Sequence, residues 1–330
     1  MSQFIFFLII FFITIFNVFL YYSSFKTNKY LSIKDDYKRA NIVNAAGIII
    51  VVQTLIFLTY LINFSEYSNF IARLIPRPNV FLISILALCI ISFIDDITSG
   101  IDFRIRLFVQ TSVIFTSLSL LILNSESSIP IKLQQYTIII LWVYILNFSN
   151  FIDGLDGFLL IHSISVFLII LIKFFVDQNL LTSTLLSSFL LPCSLAMAFF
   201  NFPKAKIFLG DTGSIFYGFV IGFIFFELML NENFFIATSI IMYPFLDVTI
   251  TLIKKIINKK KPWDRDFDYF FLKPVIKNKL PHTSVTIPFL FFNVFLLLNT
   301  SLYLLFNNKI QILLSLSMTL YLLFYFHKKK

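Results

Sequence analysis

Charge is scarce in this chain. Only 13% of its 330 residues are Asp, Glu, Lys or Arg, about half the share in an ordinary soluble domain. A water-soluble globule is excluded, because its surface would run short of polar cover. Disorder is excluded too: 58% of the residues are hydrophobic and 45 are Phe, whereas a disordered chain needs low hydrophobicity. Cysteine is nearly absent. Cys89 and Cys193 both lie in apolar runs, with no ligand spacing and no disulfide framework. No internal repeat and no separate soluble domain stand out. The first apolar run, Phe4 to Tyr22, has neither a charged leading segment nor a small-residue cleavage site. It is expected to be a retained span rather than a signal peptide.

What is present is apolar sequence in runs near 20 residues, with a mean hydropathy of +0.90. Each run is long enough to cross a hydrocarbon core as a helix. The expected fold is therefore all-α, a polytopic membrane helix bundle forming a single domain over 1–330. Eleven spans are expected, at 3–22, 42–63, 79–94, 106–124, 136–150, 157–176, 181–200, 213–230, 233–252, 286–306 and 309–327. Ten remain open, because the fifth is short and two boundaries are tight.

Basic residues set the orientation. With the N-terminus outside, 21 of the 26 Lys and Arg fall on the inner side, so N-out/C-in is expected. The inner loops are then 23–41, 95–105, 151–156, 201–212 and 253–285. A net charge of +9 spread over such loops points to anionic headgroups, not to nucleic acid. On this map every inner acid is Asp, and four of the five outer acids are Glu. Short, stiff carboxylates gathered on one face suggest a site.

Five segments carry that site. Asp95-Asp96 closes the third span, where a helix C-terminus disfavours carboxylates; a nearby cation or basic ligand group would offset this. Arg104, Arg106 and Gln110 open the next span and could meet a phosphate. Asn147-x-x-Asn150-x-x-Asp153-Gly-Leu-Asp156-Gly sets three polar side chains near one side of a helix end and suits a hard, oxygen-seeking metal such as Mg²⁺. Phe208-Leu-Gly-Asp211-Thr-Gly-Ser, with Lys204 and Lys206 upstream, offers two readings: Asp211 as a helix cap, or an anion site at a helix start. Asp247 is the one acid well inside a span, a functional candidate by its cost, with a structural hydrogen bond as the alternative. The last inner loop holds Lys259–Lys261, Arg265 as a bidentate phosphate clamp, and His282.

Taken in order along the chain, these segments resemble the polyprenyl-phosphate N-acetylhexosamine-1-phosphate transferase superfamily, glycosyltransferase family 4. Asp95-Asp96, Asn147 to Gly157, Asn201-x-Pro203 through Ser214, and Pro244-x-x-Asp247 carry the likeness. It implies a bundle of ten or eleven helices with a cytosolic cleft, in a bacterial inner membrane. It also implies an enzyme that transfers a sugar-1-phosphate from a UDP-N-acetylhexosamine to undecaprenyl phosphate. UMP is released, and Mg²⁺ (or Mn²⁺) is required.

By the same resemblance Asp211 and Asn150 are metal ligands and Phe208 stacks on uracil. Asp95 and Asp96 sit near the lipid phosphate. Asp153 and Asp156 organise the nucleotide pocket, and Arg265 clamps the diphosphate. Asn147, Asp247, Lys206 and His282 are expected on the substrate side. Asp264 and Phe267 stand where deoxy-amino-sugar relatives carry histidines, and Asn44-Ala45-Ala46-Gly47 replaces a usual glycine triplet. Both departures bear on sugar choice. The loop favours the O-antigen, deoxy-amino-sugar branch over the muramoyl-pentapeptide branch. A homodimer is open. The rival readings are a transporter of a nucleotide sugar or lipid-linked substrate, and an inactive family member.

Overall fold

A computed structural model describes residues 2–28, 31–33, 42–64, 68–69, 74–75, 77–98, 100–118, 131–179, 181–261 and 268–329. The architecture is all-α. Among the described residues there are twelve helices and one two-stranded antiparallel ribbon. The helices are α1 (Ser2–Phe25), α2 (Gly47–Asn63), α3 (Pro78–Ile97), α4 (Phe103–Ser117), α5 (Ile131–Ile152), α6 (Phe158–Asp177), α7 (Thr182–Asn201), α8 (Gly210–Leu230), α9 (Phe234–Ile257), the short α10 (Lys273–Ile276), α11 (Thr283–Phe306) and α12 (Ile310–Lys328). Nine of the described helices are long and apolar enough to cross a membrane, and α2 is a shorter apolar one. The chain is a multi-pass membrane protein.

Each of the eleven expected spans overlaps a helix, but α4, at the expected span 106–124, is not among those long and apolar enough to cross, residues 119–124 lie outside the described residues, and the ends differ. Residues 42–46 do not begin α2. Ile42–Val43 form a strand (β2) that pairs with Ser32–Ile33 (β1). Val43 also bridges in parallel to Ile207. At the other end of the chain α9 runs on to Ile257, with Lys254 and Lys255 in its last turn, where cations complement the helix dipole. The boundary turns that left the span count open are real breaks. Asn307, for example, closes α11 in the left-handed region, at φ 47°.

The bundle is built around α8. It packs against α2, α3, α5, α6, α7 and α9, and its apolar window is 83% buried. Lipid supplies no hydrophobic drive between helices, so close packing at small residues must hold them. Gly222 illustrates this: a Cβ there would run into the Trp142 indole of α5. The same indole stacks on Phe219 with centroids 5.3 Å apart and donates Nε1–H to the Phe219 carbonyl at 3.1 Å. The periphery is apolar. Phe12, Phe16, Phe108, Phe199, Phe291 and Phe306 are all exposed, as lipid-facing side chains should be.

Candidate active site

The ends of α3, α5 and α8 meet at one end of the bundle. Asp102 positions the first turn of α4, its carboxylate accepting from the Arg104 amide at 2.7 Å. That start aims Arg106 at the carboxylates. Arg106 Nη1 lies 2.6 Å from Asp95 Oδ2 and 2.7 Å from Asp211 Oδ2. One nitrogen thus joins acids that are far apart in sequence. Asp95 also accepts from the Ile101 amide.

Asp96 faces the other way, into the start of α8. Its Oδ1 accepts from the Asp211 amide at 2.9 Å and from Asn44 Nδ2 at 3.2 Å. Its Oδ2 accepts from the Thr212 amide at 2.9 Å and the Thr212 hydroxyl at 2.6 Å. This is a helix cap supplied from another helix. α8 has no side-chain cap of its own, so the reading of Asp211 as that cap is overturned. The reading of the same helix start as an open anion site is overturned as well, because a carboxylate already fills it. The cap needs Gly210, whose φ is +72° and where a Cβ would strike the Asp96 carboxylate.

Three more expected residues join this hollow. Asn150 donates to Ser214 Oγ at 3.0 Å, within the first turns of α8, and reaches Asp211. Asn147 donates to Gln110 Oε1 at 2.9 Å. Gln110 is one turn beyond Arg106 on α4, on the same face. Asp153, in the turn after α5, has no side-chain hydrogen bond among the described residues. Burial, then the charges of Asp211, Asp96 and Asp156, push its carboxyl well above the usual carboxylate range.

Other expected site residues serve the scaffold. Asp156 is buried; its Oδ2 accepts from the Ala205 amide at 3.1 Å, and its Oδ1 lies 3.1 Å from His282 Nδ1. The Asp156 carbonyl accepts from Thr286 at 3.1 Å. Asp156 and His282 therefore staple the turn after α5 to α11 and to the segment before α8. Asp247 is buried too. Its oxygens accept from the Tyr243 hydroxyl at 2.8 Å and the Phe270 and Phe271 amides at 2.9 and 3.3 Å, which anchors the end of the last inner loop on α9. The alternative of a structural hydrogen bond describes it. Lys206 is exposed. Phe208 is half-buried, with its backbone pinned to Val43 at 2.8 Å. Arg265, with Asp264 and Phe267, lies outside the described residues.

Sequence reasoning noted Arg106 as a phosphate candidate but not as the charge partner of Asp95 and Asp211. The available signal was its i, i+4 spacing to Gln110. Asn44, Thr212 and Ser214 were missed as supports of the hollow, because each acts through a partner distant in sequence.

Comparison with known proteins gives a family match. Residues 79–229 match the family model for glycosyl transferase family 4. The chain is 27% identical over 199 residues (56% of this chain, 54% of the relative) to a probable undecaprenyl-phosphate N-acetylglucosaminyl 1-phosphate transferase of Bacillus subtilis. It is 28% identical over 203 residues (60% and 62%) to an undecaprenyl-phosphate alpha-N-acetylglucosaminyl 1-phosphate transferase of Thermotoga maritima. It is 30% identical over 172 residues (47% and 52%) to a phospho-N-acetylmuramoyl-pentapeptide-transferase of Leuconostoc mesenteroides. The matches thus span between 52% and 62% of these relatives' lengths. α3 from residue 79 onward, all of α5 and the start of α8 fall inside the matched segment, and over that segment the chain is similar to glycosyl transferase family 4.

Proposed function

We propose that the chain is a phosphoglycosyltransferase. It moves a sugar-1-phosphate from a UDP-N-acetylhexosamine to undecaprenyl phosphate, releasing UMP, on the cytosolic face of a bacterial inner membrane. The observation that carries this reading is the convergence of Asp95, Asp96, Asp153 and Asp211 on one hollow, with Arg106 between two of them. The relatives' names support the acceptor and the transferred sugar phosphate. The loop 264–269 supports an O-antigen-type, deoxy-amino-sugar branch, with the chain acting alone or as a homodimer.

The hollow fits a divalent cation. Its donors are carboxylate and amide oxygens, which a hard cation such as Mg²⁺ prefers. Among the described residues no three acidic, His or Cys side chains form a complete chelating cluster. A Mg²⁺ held by few protein ligands would complete its shell with water and substrate phosphates. Arg106 sits between Asp95 and Asp211 as a positive charge, which marks where the field of the four carboxylates concentrates. Asp211 and Asn150 would hold the ion. Bound there, it would supply positive charge for the phosphate oxygens on which charge builds during phosphoryl transfer.

The chain's own residues do the rest. Four carboxylates repel a bare phosphate, so Arg106 balances part of their charge. Asp96 fixes the direction of α8 and with it the Asp211 side chain. It is a positioning residue in this account. Asp95 orients Arg106 toward the entering phosphate. Phe208 offers a half-buried ring for the uracil, and Arg265 clamps the diphosphate.

The test is purified protein with Mg²⁺, undecaprenyl phosphate and a panel of UDP-N-acetylhexosamines, scored for UMP. Release with at least one sugar is expected, with a loss of about 100-fold or more in kcat for Asp211→Asn and abolition by a chelator. No release with any sugar, or wild-type turnover by Asp211→Asn, overturns the reading.

A further inference from the structure

A second polar hollow lies at the C-terminal end of α9. It is a cavity of about 210 Å³ lined by Thr251, Lys254, Lys255, Lys260, Asp268 and Lys273, among others. None of the carboxylates of the first hollow lines it. Here the charge has the opposite sign: four lysines face one aspartate. That aspartate is already engaged, with Asp268 Oδ1 2.6 Å from Lys277 Nζ and Oδ2 3.8 Å from Lys260 Nζ.

Two ammonium groups are held in place by one ring. Lys254 Nζ is 4.4 Å and Lys273 Nζ 4.9 Å from the Phe270 centroid. Phe270 is in turn fixed by its amide hydrogen bond to Asp247. The anchoring acid of α9 therefore sets the spacing of the lysines. Burial and the nearby charges of Lys254 and Lys277 hold the Lys273 ammonium below the usual lysine range, against the opposing pull of Asp268 and Asp247.

The orienting-charge reading of these lysines leaves one atom unexplained. Thr251 is 1% exposed, and its hydroxyl has no hydrogen-bond partner. Threonine in a helix ordinarily satisfies its hydroxyl on a carbonyl of the preceding turn, as Thr54 and Thr319 do in this chain. Thr251 instead lines the lysine cavity. A buried donor left over beside clustered ammonium groups is what a bound oxyanion would satisfy.

We propose that this hollow binds a phosphate-bearing anion, with the Thr251 hydroxyl and the ammonium groups of Lys254, Lys255 and Lys273 as its donors. The phosphate can come from a lipid headgroup or from solution. Ile253, Ile256 and Ile257, on the same two turns, are 50%, 60% and 72% exposed. An apolar surface so close to the lysines favours the headgroup.

The experiment uses the full-length protein, delipidated in detergent, in two arms. In one, phosphatidylglycerol and phosphatidylcholine compete for the protein and native mass spectrometry counts the bound lipid. In the other, inorganic phosphate is titrated and followed by calorimetry. Wild type should prefer phosphatidylglycerol. Lys254→Ala/Lys273→Ala should cut that preference by roughly tenfold or more, and Thr251→Val by about fivefold. Lys254→Arg/Lys273→Arg should keep it, as should Lys309→Ala, which removes a charge elsewhere. Phosphate binding without lipid preference, lost in the same variants, upholds the site with a soluble anion as its ligand. The proposal fails if wild type shows neither preference nor phosphate binding, or if the Ala pair and Thr251→Val both behave as wild type.

Discussion

Arg106 holds two carboxylates with a single nitrogen, so its removal exposes their repulsion. Arg106→Gln should lower the thermal midpoint in metal-free buffer, by an amount well below the roughly 3–5 kcal/mol typical of a broken buried pair, because the side chain is 34% exposed. Added Mg²⁺ should restore much of the loss by supplying the missing positive charge. A variant whose melting ignores Mg²⁺ would contradict the cation site. Asp153 behaves differently. Its raised folded-state value means that the folded protein holds the proton more tightly than the unfolded chain does. Its stabilising contribution is therefore complete below the unfolded value near ~3.9 and disappears as pH rises through the folded value. Asp153→Asn should melt higher than wild type at pH 8, converge with it in acid, and turn over more slowly. A lower midpoint at pH 8 would refute the assignment. The two neighbours Asp95 and Asp96 look alike in the sequence, yet one meets a guanidinium and the other a helix start. Nothing local separates them, because the partners Asp211 and Thr212 lie far along the chain.

Helices in this bundle cap one another. Asp96 on α3 closes α8. At the other end of α8, Glu227 closes α7, accepting from the Thr182 and Ser183 amides at 3.1 and 2.7 Å. Losing a cap costs about 1–2 kcal/mol, so Asp96→Ala and Gly210→Ala should each destabilise by that order, measured by thermal unfolding in detergent. Their effects should not add, since both break one contact. Full additivity would show that Gly210 matters for another reason. Gly222→Val should cost about 1–3 kcal/mol by overpacking Trp142. The existence of every long helix could be read from hydropathy, because each must bring enough apolar residues to cross lipid. The ends could not. Ile42 and Val43 are as apolar as the helix that follows, and their pairing with Ser32–Ile33 and with 206–208, the latter a remote stretch of chain, makes them a strand. Asp247 shows the same limit: its cost inside a span was evident, but the Phe270 and Phe271 amides that occupy it were not.

For the molecule as a whole, the sidedness inferred from 21 of 26 basic residues can be measured directly. Both native cysteines are buried, so a membrane-impermeant thiol reagent should leave wild type unlabelled. Cysteines placed at the exposed Lys204 and Lys309 should label from opposite sides, Lys204→Cys only once the cytosolic face is opened. Labelling of both from outside would refute N-out/C-in. The seam near Val43 has a further consequence. The amides of Val43, Ala46 and Gly47 donate to the carbonyls of Lys206, Phe208 and Leu209, and Phe208 donates back to Val43. Those partners leave the ribosome only after α7 has been made. Until then the edge that faces those partners stays open in the nascent chain, within reach of proteases, and a translation stall between residues 47 and 206 should yield fragments clipped there.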